Sequence, residues 1–449
     1  MNKTTITGNW RFVVYVLFAA LFLLINYSTQ RTDFIQLISL YCCAFGLYVI
    51  IYKYWNTDVL INEGKWLGIA IRFSILFSMP NLTDDFYRFI WDGHLSINHI
   101  NPYAYTPDMV KAQNYLGADN MVLNDSLYQS LNSRPYFTIY PPISQFLFSV
   151  SAHLSGGHLV LNQIILKLFI FIFEVGSVLL IPKILQQLRL SSHLQLLYTL
   201  NPLVILELTG NLHFEAVMIF FLLLAIYFIN KQQLTFSAIA FGFAIGAKLW
   251  PIMLMPLLFK KLGFKQTIFY STISGLVSVV VLFPMLQQYA NIFSSLNLYF
   301  QQFEFNGSVY YLLRWIINKD EHFETFELMR RLLPVFTVVA ISMLSYFYTK
   351  DKFIGALQIA FSIYCLFATT MHPWYITPLI MLSVFSGYRY AIVWSLLIYF
   401  TYITYIDITY PENYFVVVME YLVVIGFCLF EVFILPGRRG EGKFREEIQ

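Results

Sequence analysis

Apolar residues run through the chain in long stretches separated by short polar breaks, and the lengths of those stretches predict its elements. A helix crossing a bilayer needs about 20 mostly apolar residues, because each residue rises 1.5 Å through roughly 30 Å of hydrocarbon. Stretches that meet or approach this length cover residues 12–27, 34–54, 66–79, 160–181, 194–208 and 216–229. Others cover 267–283, 332–348, 353–369, 374–385, 391–406 and 415–435. Several are shorter than a full span and call for extension or for packing inside a bundle. Residues 143–154 are short and polar at their start, so they read either as a crossing or as a dipping helix. Residues 234–259 are interrupted by Lys248 and Pro251, which predicts two half-helices or one kinked helix. The pattern predicts an all-α polytopic membrane protein with about 11–13 crossings.

Composition sharpens this reading. Hydrophobic residues make up 58% of the chain and Asp, Glu, Lys and Arg only 12%, against about 25% charged residues in an ordinary globular protein. The 28 basic and 25 acidic residues are too few to coat a soluble body of 449 residues. Disorder is excluded by the hydrophobicity, and a nucleic-acid partner by a net charge of only +3 with no broad basic face. Cys42, Cys43, Cys365 and Cys428 lie in apolar stretches without metal-ligand spacing and read as buried small hydrophobes. The N-terminus shows no small-residue cleavage pattern, so the first apolar run is expected to stay as a membrane helix.

Basic residues orient the chain. Lys3 and Arg11 precede the first helix, Lys53 and Lys65 bracket the turn after the second, and Arg438, Arg439, Lys443 and Arg445 follow the last. The positive-inside rule puts all of these in the cytoplasm. Three crossings then carry a polar loop, residues 81–142, to the outer side. Residues 284–331 form a second outer region, and 371–374 face the same way. The chain reads as one membrane domain over residues 1–449 without a repeat of fixed period, its site lying where the outer loops meet the bundle.

The densest polar chemistry is Asn81-Leu-Thr-Asp-Asp-Phe-Tyr-Arg-Phe-Ile-Trp-Asp-Gly93. Phe86, Phe89 and Ile90 have helical spacing, Thr83 is a candidate cap, and Gly93 a candidate end. A short helix on or in the membrane surface is expected. Asp84 and Asp85 can accept a proton from an attacking hydroxyl, or hold a divalent cation that offsets a diphosphate, or simply cap the helix. Arg88 and Asp92 fall near the same helix face, Arg88 suited to a carboxylate or a phosphate. His94 and His99 have donors for sugar or phosphate. Tyr140-Pro-Pro-Ile-Ser-Gln145 returns the chain rigidly to the membrane and is expected to bring Tyr140 and Gln145 into the same cavity.

Polar groups inside apolar runs add to this cluster. Burying a carboxylate in lipid is costly, so Glu207 and Glu215 must face the bundle or a wet cavity, with Asn211 and His213 beside them. These four suit sugar hydroxyls, a phosphate-bound ion, or helix–helix joining. Lys248 precedes the break at Pro251, too deep to reach the cytoplasmic side easily, and calls for a phosphate or carboxylate partner. His372-Pro-Trp-Tyr375 offers a phosphate donor in His372, a stacking surface for sugar in Trp374, and an interfacial anchor in Tyr375. Arg314, Arg330 and Arg331 fall on the outer side, where a phosphate role would explain them. Arg72, Lys167 and Glu174 read as structural, paired with neighbours rather than exposed to lipid.

Taken in order, the loop acid, Tyr-Pro-Pro at 140–142, Asn201-Pro202, Gly210-Asn-X-His213, Lys248-X-X-Pro251 and His372-Pro-Trp-Tyr375 resemble the multi-spanning GT-C glycosyltransferase superfamily. The likeness is closer to bacterial mannosyltransferase-like members, related to the GT87 group and to the enzymes that mannosylate glycolipid anchors. It extends roughly over residues 66–375. The resemblance implies transfer of a sugar, with mannose expected, from a polyprenyl-phosphate carrier to a lipid or glycan acceptor at the extracytoplasmic face of the cytoplasmic membrane. Asp84 or Asp85 would be the base, with Asp85 favoured by its nearness to Arg88. Arg88, Lys248 and His372 would hold the phosphate, and Asn211, His213 and Glu215 the hydroxyls. No cofactor is required, although a divalent cation fits the acid pair. Three helices precede the loop where the superfamily plan has one, so residues 1–65 include an added hairpin. A glycan ligase with a lipid-diphosphate donor and a polysaccharide or lipid transporter are the competing readings.

Overall fold

A computed structural model describes residues 10–113, 123–319 and 321–434, without the side chains of 298–302. Lys3, Arg438, Arg439, Lys443 and Arg445, which orient the ends above, lie outside the described residues. Among the described residues six helices are long and apolar enough to cross a membrane: Trp10–Ser28, Phe34–Tyr54, Leu159–Gln187, Phe264–Leu286, Phe323–Phe347 and Tyr414–Ile434. A seventh span results if Pro202–Gly210 and Glu215–Asn230, bent by 117°, count as one. Shorter apolar helices, Leu234–Ala247, Ser308–Ile317, Pro373–Ser386 and Tyr390–Ile406, complete a multi-pass helical membrane protein. The described β structure is one isolated parallel bridge between Phe305 and Thr370.

Residue size explains how the helices pack. Lipid is as apolar as leucine, so helix pairs in a membrane gain from close backbone approach and small polar residues. Phe264–Leu286 turns Leu276, Val279, Val280 and Phe283 outward and buries Thr267, Ser274 and Ser278. Against that face lies Leu234–Ala247, where Ser278 Oγ reaches the Gly242 carbonyl at 3.5 Å. Cys42 and Cys43 are exposed on Phe34–Tyr54, correcting the buried expectation for them; Cys365 is buried and Cys428 half-buried. The buried stripe of that helix is Leu37, Tyr41, Ala44, Phe45, Tyr48 and Ile51, and positions 42 and 43 fall off it.

Several expected elements are broken or moved. The apolar run 194–208 is not one helix: Asn201 caps a new segment, accepting from Leu203 N and Val204 N at 3.0 and 3.3 Å, with Pro202 in its first turn. A π-helical turn, Ile205–Gly210, follows. The 234–259 run stops at Ala247 and resumes as Trp250–Leu254 and Met255–Leu262, with Lys248 extended between them. Residues 284–331, expected on the outer side, carry Tyr289–Gln302 and Ser308–Ile317.

The acid-rich helix, Asp85–Ile97, is buried within the protein instead of lying on the membrane surface, and it runs through Gly93 instead of ending there. It packs against Pro142–Ser155, and a Cβ on Gly93 would sit 2.3 Å from the Phe148 carbonyl oxygen. Glycine therefore sets how close the two helices come. Gly93→Ala is expected to destabilise the protein by about 1–3 kcal/mol despite alanine's better helix propensity, because backbone has to give way. Thermal unfolding in lipid nanodiscs would show this as a lower midpoint; an unchanged midpoint would mean the helices are free to separate.

Buried charges brace the same end of the bundle. Arg72 Nε donates to Glu174 Oε2 at 3.0 Å, both side chains being fully buried, and Arg72 Nη1 donates to the Thr199 carbonyl at 2.7 Å. Lys167 Nζ binds the carbonyls of Ile75 and Ser78 at 3.1 and 2.7 Å. Carbonyls left free at a helix end attract a cation, so Lys167 anchors the segment just before the acidic loop. The first helix joins it there: Asn81 Nδ2 donates to the Asn26 carbonyl at 3.2 Å and Tyr27 Oη to the Ser74 carbonyl at 2.8 Å.

Candidate active site

A cavity of about 410 Å³ opens where these elements meet. Its walls include Asp84, Asp85, Arg88, Tyr140, His213, Glu215, Lys248, His372, Trp374 and Tyr375. The volume lies within the range of small-molecule sites, about 300–1,000 Å³.

The two adjacent aspartates have different surroundings. Asp84 Oδ2 is 2.5 Å from Arg31 Nη2, an ion pair across the turn between the first two helices. Asp85 Oδ1 accepts from Asn132 Nδ2 at 2.9 Å, and its backbone N–H reaches Thr83 Oγ1 at 3.2 Å. Of the carboxylates on the cavity wall, Glu215 pairs with Lys248 and Glu304 with Arg314 and Lys319. Asp85 alone among them has no cationic partner among the described residues. It stands in the first turn of Asp85–Ile97.

Arg88 does not pair with either of these aspartates. Its Nε donates to Asp92 at 2.7 Å, and its Nη1 donates to the Ser133 and Tyr136 carbonyls at 3.0 Å each. With the Ser133 Oγ contact at 3.2 Å, four bonds fix the group and leave Nη2 buried and without a partner among the described residues. An anion entering the cavity would meet a guanidinium already oriented. Lys248 Nζ lies 2.5 Å from Glu215 Oε1 and 5.3 Å from the Tyr375 ring centroid.

Four rings form a ladder along the opposite wall. His213 stacks on Trp374 at 3.8 Å between centroids, Trp374 on His372 at 4.4 Å, and His372 on Phe305 at 4.9 Å. Both faces of Trp374 are therefore covered, which corrects the expectation that its face receives a sugar. Burial, with a smaller contribution from His213 and Lys248, pushes the His372 imidazole down to about 3, so at neutral pH it is uncharged. His372 Nδ1 is buried without a partner. His213 Nδ1 lies 2.8 Å from the Glu207 carbonyl, which can only accept, so Nδ1 carries a proton and Nε2 is the nitrogen left for a ligand. That Nε2 is also buried and unpartnered.

Five expected site residues, Asp92, His94, Gln145, Glu207 and Asn211, sit behind the wall instead of on it. Asp92, fully buried, is held by Arg88 and by Gln145 Nε2 at 2.8 Å. His94 lies 3.0 Å from the Asn162 amide. Glu207 accepts from Tyr402 Oη at 2.9 Å and Asn211 Nδ2 at 3.1 Å. Each is held there by a buried polar partner, although Gln145 Oε1 has none among the described residues. The turn they support contains Leu212 at φ 67°, a left-handed conformation that is unfavourable for leucine, beside the residues that aim His213 and Glu215. Arg314, Arg330 and Arg331, considered for phosphate, are instead paired with Glu304 and Glu327.

The sequence reading missed Arg31, Asn132, Glu304 and Tyr405, all on the cavity wall. Arg31 carried a usable signal: a lone arginine in a turn that the charge pattern places outside, where basic residues are disfavoured. Asn132 and Tyr405 had none, one being a loop residue among many and the other a tyrosine inside the apolar run 391–406.

A family model described as "Alpha-(1->6)-mannopyranosyltransferase, N-terminal domain" matches residues 19–261, a little over half the chain. A stretch of 147 residues is 29% identical to GPI mannosyltransferase 1 of Kluyveromyces lactis, covering 31% of this chain and 35% of that protein. The chain thus spans about a third of the length of that curated relative. No solved structure matches.

Proposed function

The chain belongs to the alpha-(1->6)-mannopyranosyltransferase N-terminal-domain family, and from that premise we propose that it transfers a mannosyl group within the membrane from a polyprenyl-phosphate donor to a lipid or glycan acceptor. The observation that carries the reading is the composition of the cavity wall: a carboxylate without a cationic partner among the described residues, Asp85, in one cavity with a preoriented guanidinium and an ammonium. Glycosyl transfer needs that combination. The acceptor oxygen attacks the anomeric carbon, its proton passes to the Asp85 carboxylate, and the bond to the phosphate oxygen breaks with its electrons on that oxygen. Arg88 Nη2, Lys248 and a neutral His372 offset the developing phosphate charge, as preoriented donors do for other leaving groups. His213 Nε2 accepts a hydrogen bond from a hydroxyl of the sugar or acceptor.

Under this proposal the bundle is a GT-C-like one, the cavity faces the extracytoplasmic side of the cytoplasmic membrane, and the donor's lipid tail lies between helices. About 11–13 crossings would need the shorter apolar helices to cross as well. The reaction calls on no divalent cation.

Purified protein in lipid, given labelled polyprenyl-phosphate sugars and cell-envelope lipid as acceptor, tests the reading. Transfer from the mannosyl donor, insensitive to EDTA, is the expected result. Transfer only from a diphosphate-linked glycan, lost on chelation, would replace it with a ligase whose cation sits at the aspartate pair. No transfer from any donor would remove the enzyme reading.

A further inference from the structure

Two neighbouring carboxylates on one wall raise a physical problem. If both are bare, each disfavours ionisation of the other, and one proton tends to be shared between them. A base must instead be ionised before the acceptor arrives.

Arg31 removes the problem on one side only. It belongs to the turn joining Trp10–Ser28 to Phe34–Tyr54, and this turn is tied down at several points. Thr29 Oγ1 donates to the Leu24 carbonyl at 3.1 Å, Gln36 Nε2 donates to Thr29 Oγ1 at 3.0 Å, and Asp33 N donates to the Gln30 carbonyl at 3.0 Å. Asn81 Nδ2, bonded to the Asn26 carbonyl, couples the end of the first helix to the stretch of chain that leads to Asp84. The Arg31 guanidinium also lies 5.1 Å from the Tyr405 ring centroid, so it is held on a second side. Its side chain is 24% exposed and that of Asp84 37%, so the pair is neither fully solvated nor sealed.

We propose that Arg31 is a positioning residue for transfer: it neutralises Asp84, leaving Asp85 as the single carboxylate that takes the acceptor proton. The inference rests on the glycosyl-transfer reading. It gives the N-terminal hairpin a role in chemistry, since its turn supplies the cation that divides the labour between two identical side chains. The chemical step is unchanged: the acceptor O–H proton goes to Asp85, and the phosphate leaves with the electrons of the broken C–O bond. Arg31 transfers nothing.

The groups facing the acid pair are few. Tyr87 and Arg88 come from the helix of Asp85 itself, Tyr140 from the returning loop, Arg31 from the first turn, and Tyr405 and Tyr410 from the stretch before Tyr414–Ile434, with Glu215 and Lys248 farther along the wall. Removing Arg31 strips a positive charge from beside Asp84 and leaves a bare anion next to the base.

The test compares wild type, Arg31→Ala, Arg31→Lys, Asp84→Asn and Arg31→Ala/Asp84→Asn for transfer rate across pH, with thermal unfolding of each. Arg31→Ala is expected to lower kcat about 10–100-fold at neutral pH and to move the acid limb of the rate profile upward in pH. Arg31→Lys should retain most of the rate. The decisive signature is rescue: once Asp84 is neutral, loss of Arg31 matters little, so the double variant is faster than Arg31→Ala alone. A merely structural arginine gives no such rescue and no shift of the limb. Wild-type transfer with no rescue, or Asp84→Asn as damaging as Asp85→Asn, overturns the inference while sparing the functional reading. Absence of transfer in wild type overturns that reading first. The thermal cycle, which uses no substrate, then reports separately whether Arg31 and Asp84 are coupled.

Discussion

Asp85→Asn is expected to lower the turnover number of transfer by about 10²–10⁴-fold, with donor KM within a few-fold of wild type, because a positioned base contributes on this scale. The substitution is isosteric. The introduced amide keeps an oxygen that can accept from Asn132, and the backbone N–H still reaches Thr83, so the helix start survives. What disappears is the ability to take a proton. An effect on kcat alone separates this from lost donor binding, since an interaction used only in the transition state does not move KM. Measured beside it, Asp84→Asn is expected to lose no more than about tenfold, because its charge is already committed to Arg31. Equal losses in the two variants would mean that the pair acts as one unit and that the carboxylates are not divided.

Arg88→Ala is the second large effect, in stability as well as activity. The guanidinium makes four bonds in a site where its partner Asp92 is fully buried. Its loss leaves a buried carboxylate with Gln145 as its remaining partner. Breaking such a pair from one side costs about 3–5 kcal/mol, more than a wholly neutral replacement does. The Ser133 and Tyr136 carbonyls also lose their donor, so the loop carrying Asn132 is loosened. Thermal unfolding in nanodiscs, with transfer rate measured below the midpoint, separates the two roles. Arg88→Ala/Asp92→Asn should recover much of the stability by removing the stranded charge, yet stay inactive for want of the phosphate donor Nη2. Recovery of both would show that Arg88 is a brace and nothing more. Arg88→Lys cannot substitute, since one ammonium does not reproduce the fork that reaches Asp92 and two carbonyls together.

The residues themselves show where the sequence was readable. The long apolar runs 34–54 and 160–181 sit inside Phe34–Tyr54 and Leu159–Gln187 because the desolvation of a backbone in lipid leaves a helix as the economical state. The break at Lys248 and Pro251 was equally local, since proline and a half-buried cation both act on their own turn. The acidic cluster at 84–92 stood out by charge in an apolar chain. Its burial did not, because the amphipathic spacing of Phe86, Phe89 and Ile90 fits a membrane surface as well as a protein interior. Only Gly93 against Phe148 chooses between them.

Sequence alone thus determined a helical membrane protein with its polar chemistry gathered in a few segments, since hydropathy, charge and proline act over a turn or a span. Tertiary structure decided which of those polar groups face a ligand. Asp84 and Asp85 are adjacent and identical in the chain, yet one meets an arginine 53 residues away and the other an asparagine 47 residues away. Trp374 looks open to a sugar until His213 and His372 cover its two faces. Asp92 and Glu207 look available until Arg88 with Gln145, and Tyr402 with Asn211, satisfy them. A buried polar group is defined by the partner that fills its hydrogen bonds, and when that partner comes from a distant segment the local sequence does not encode the meeting.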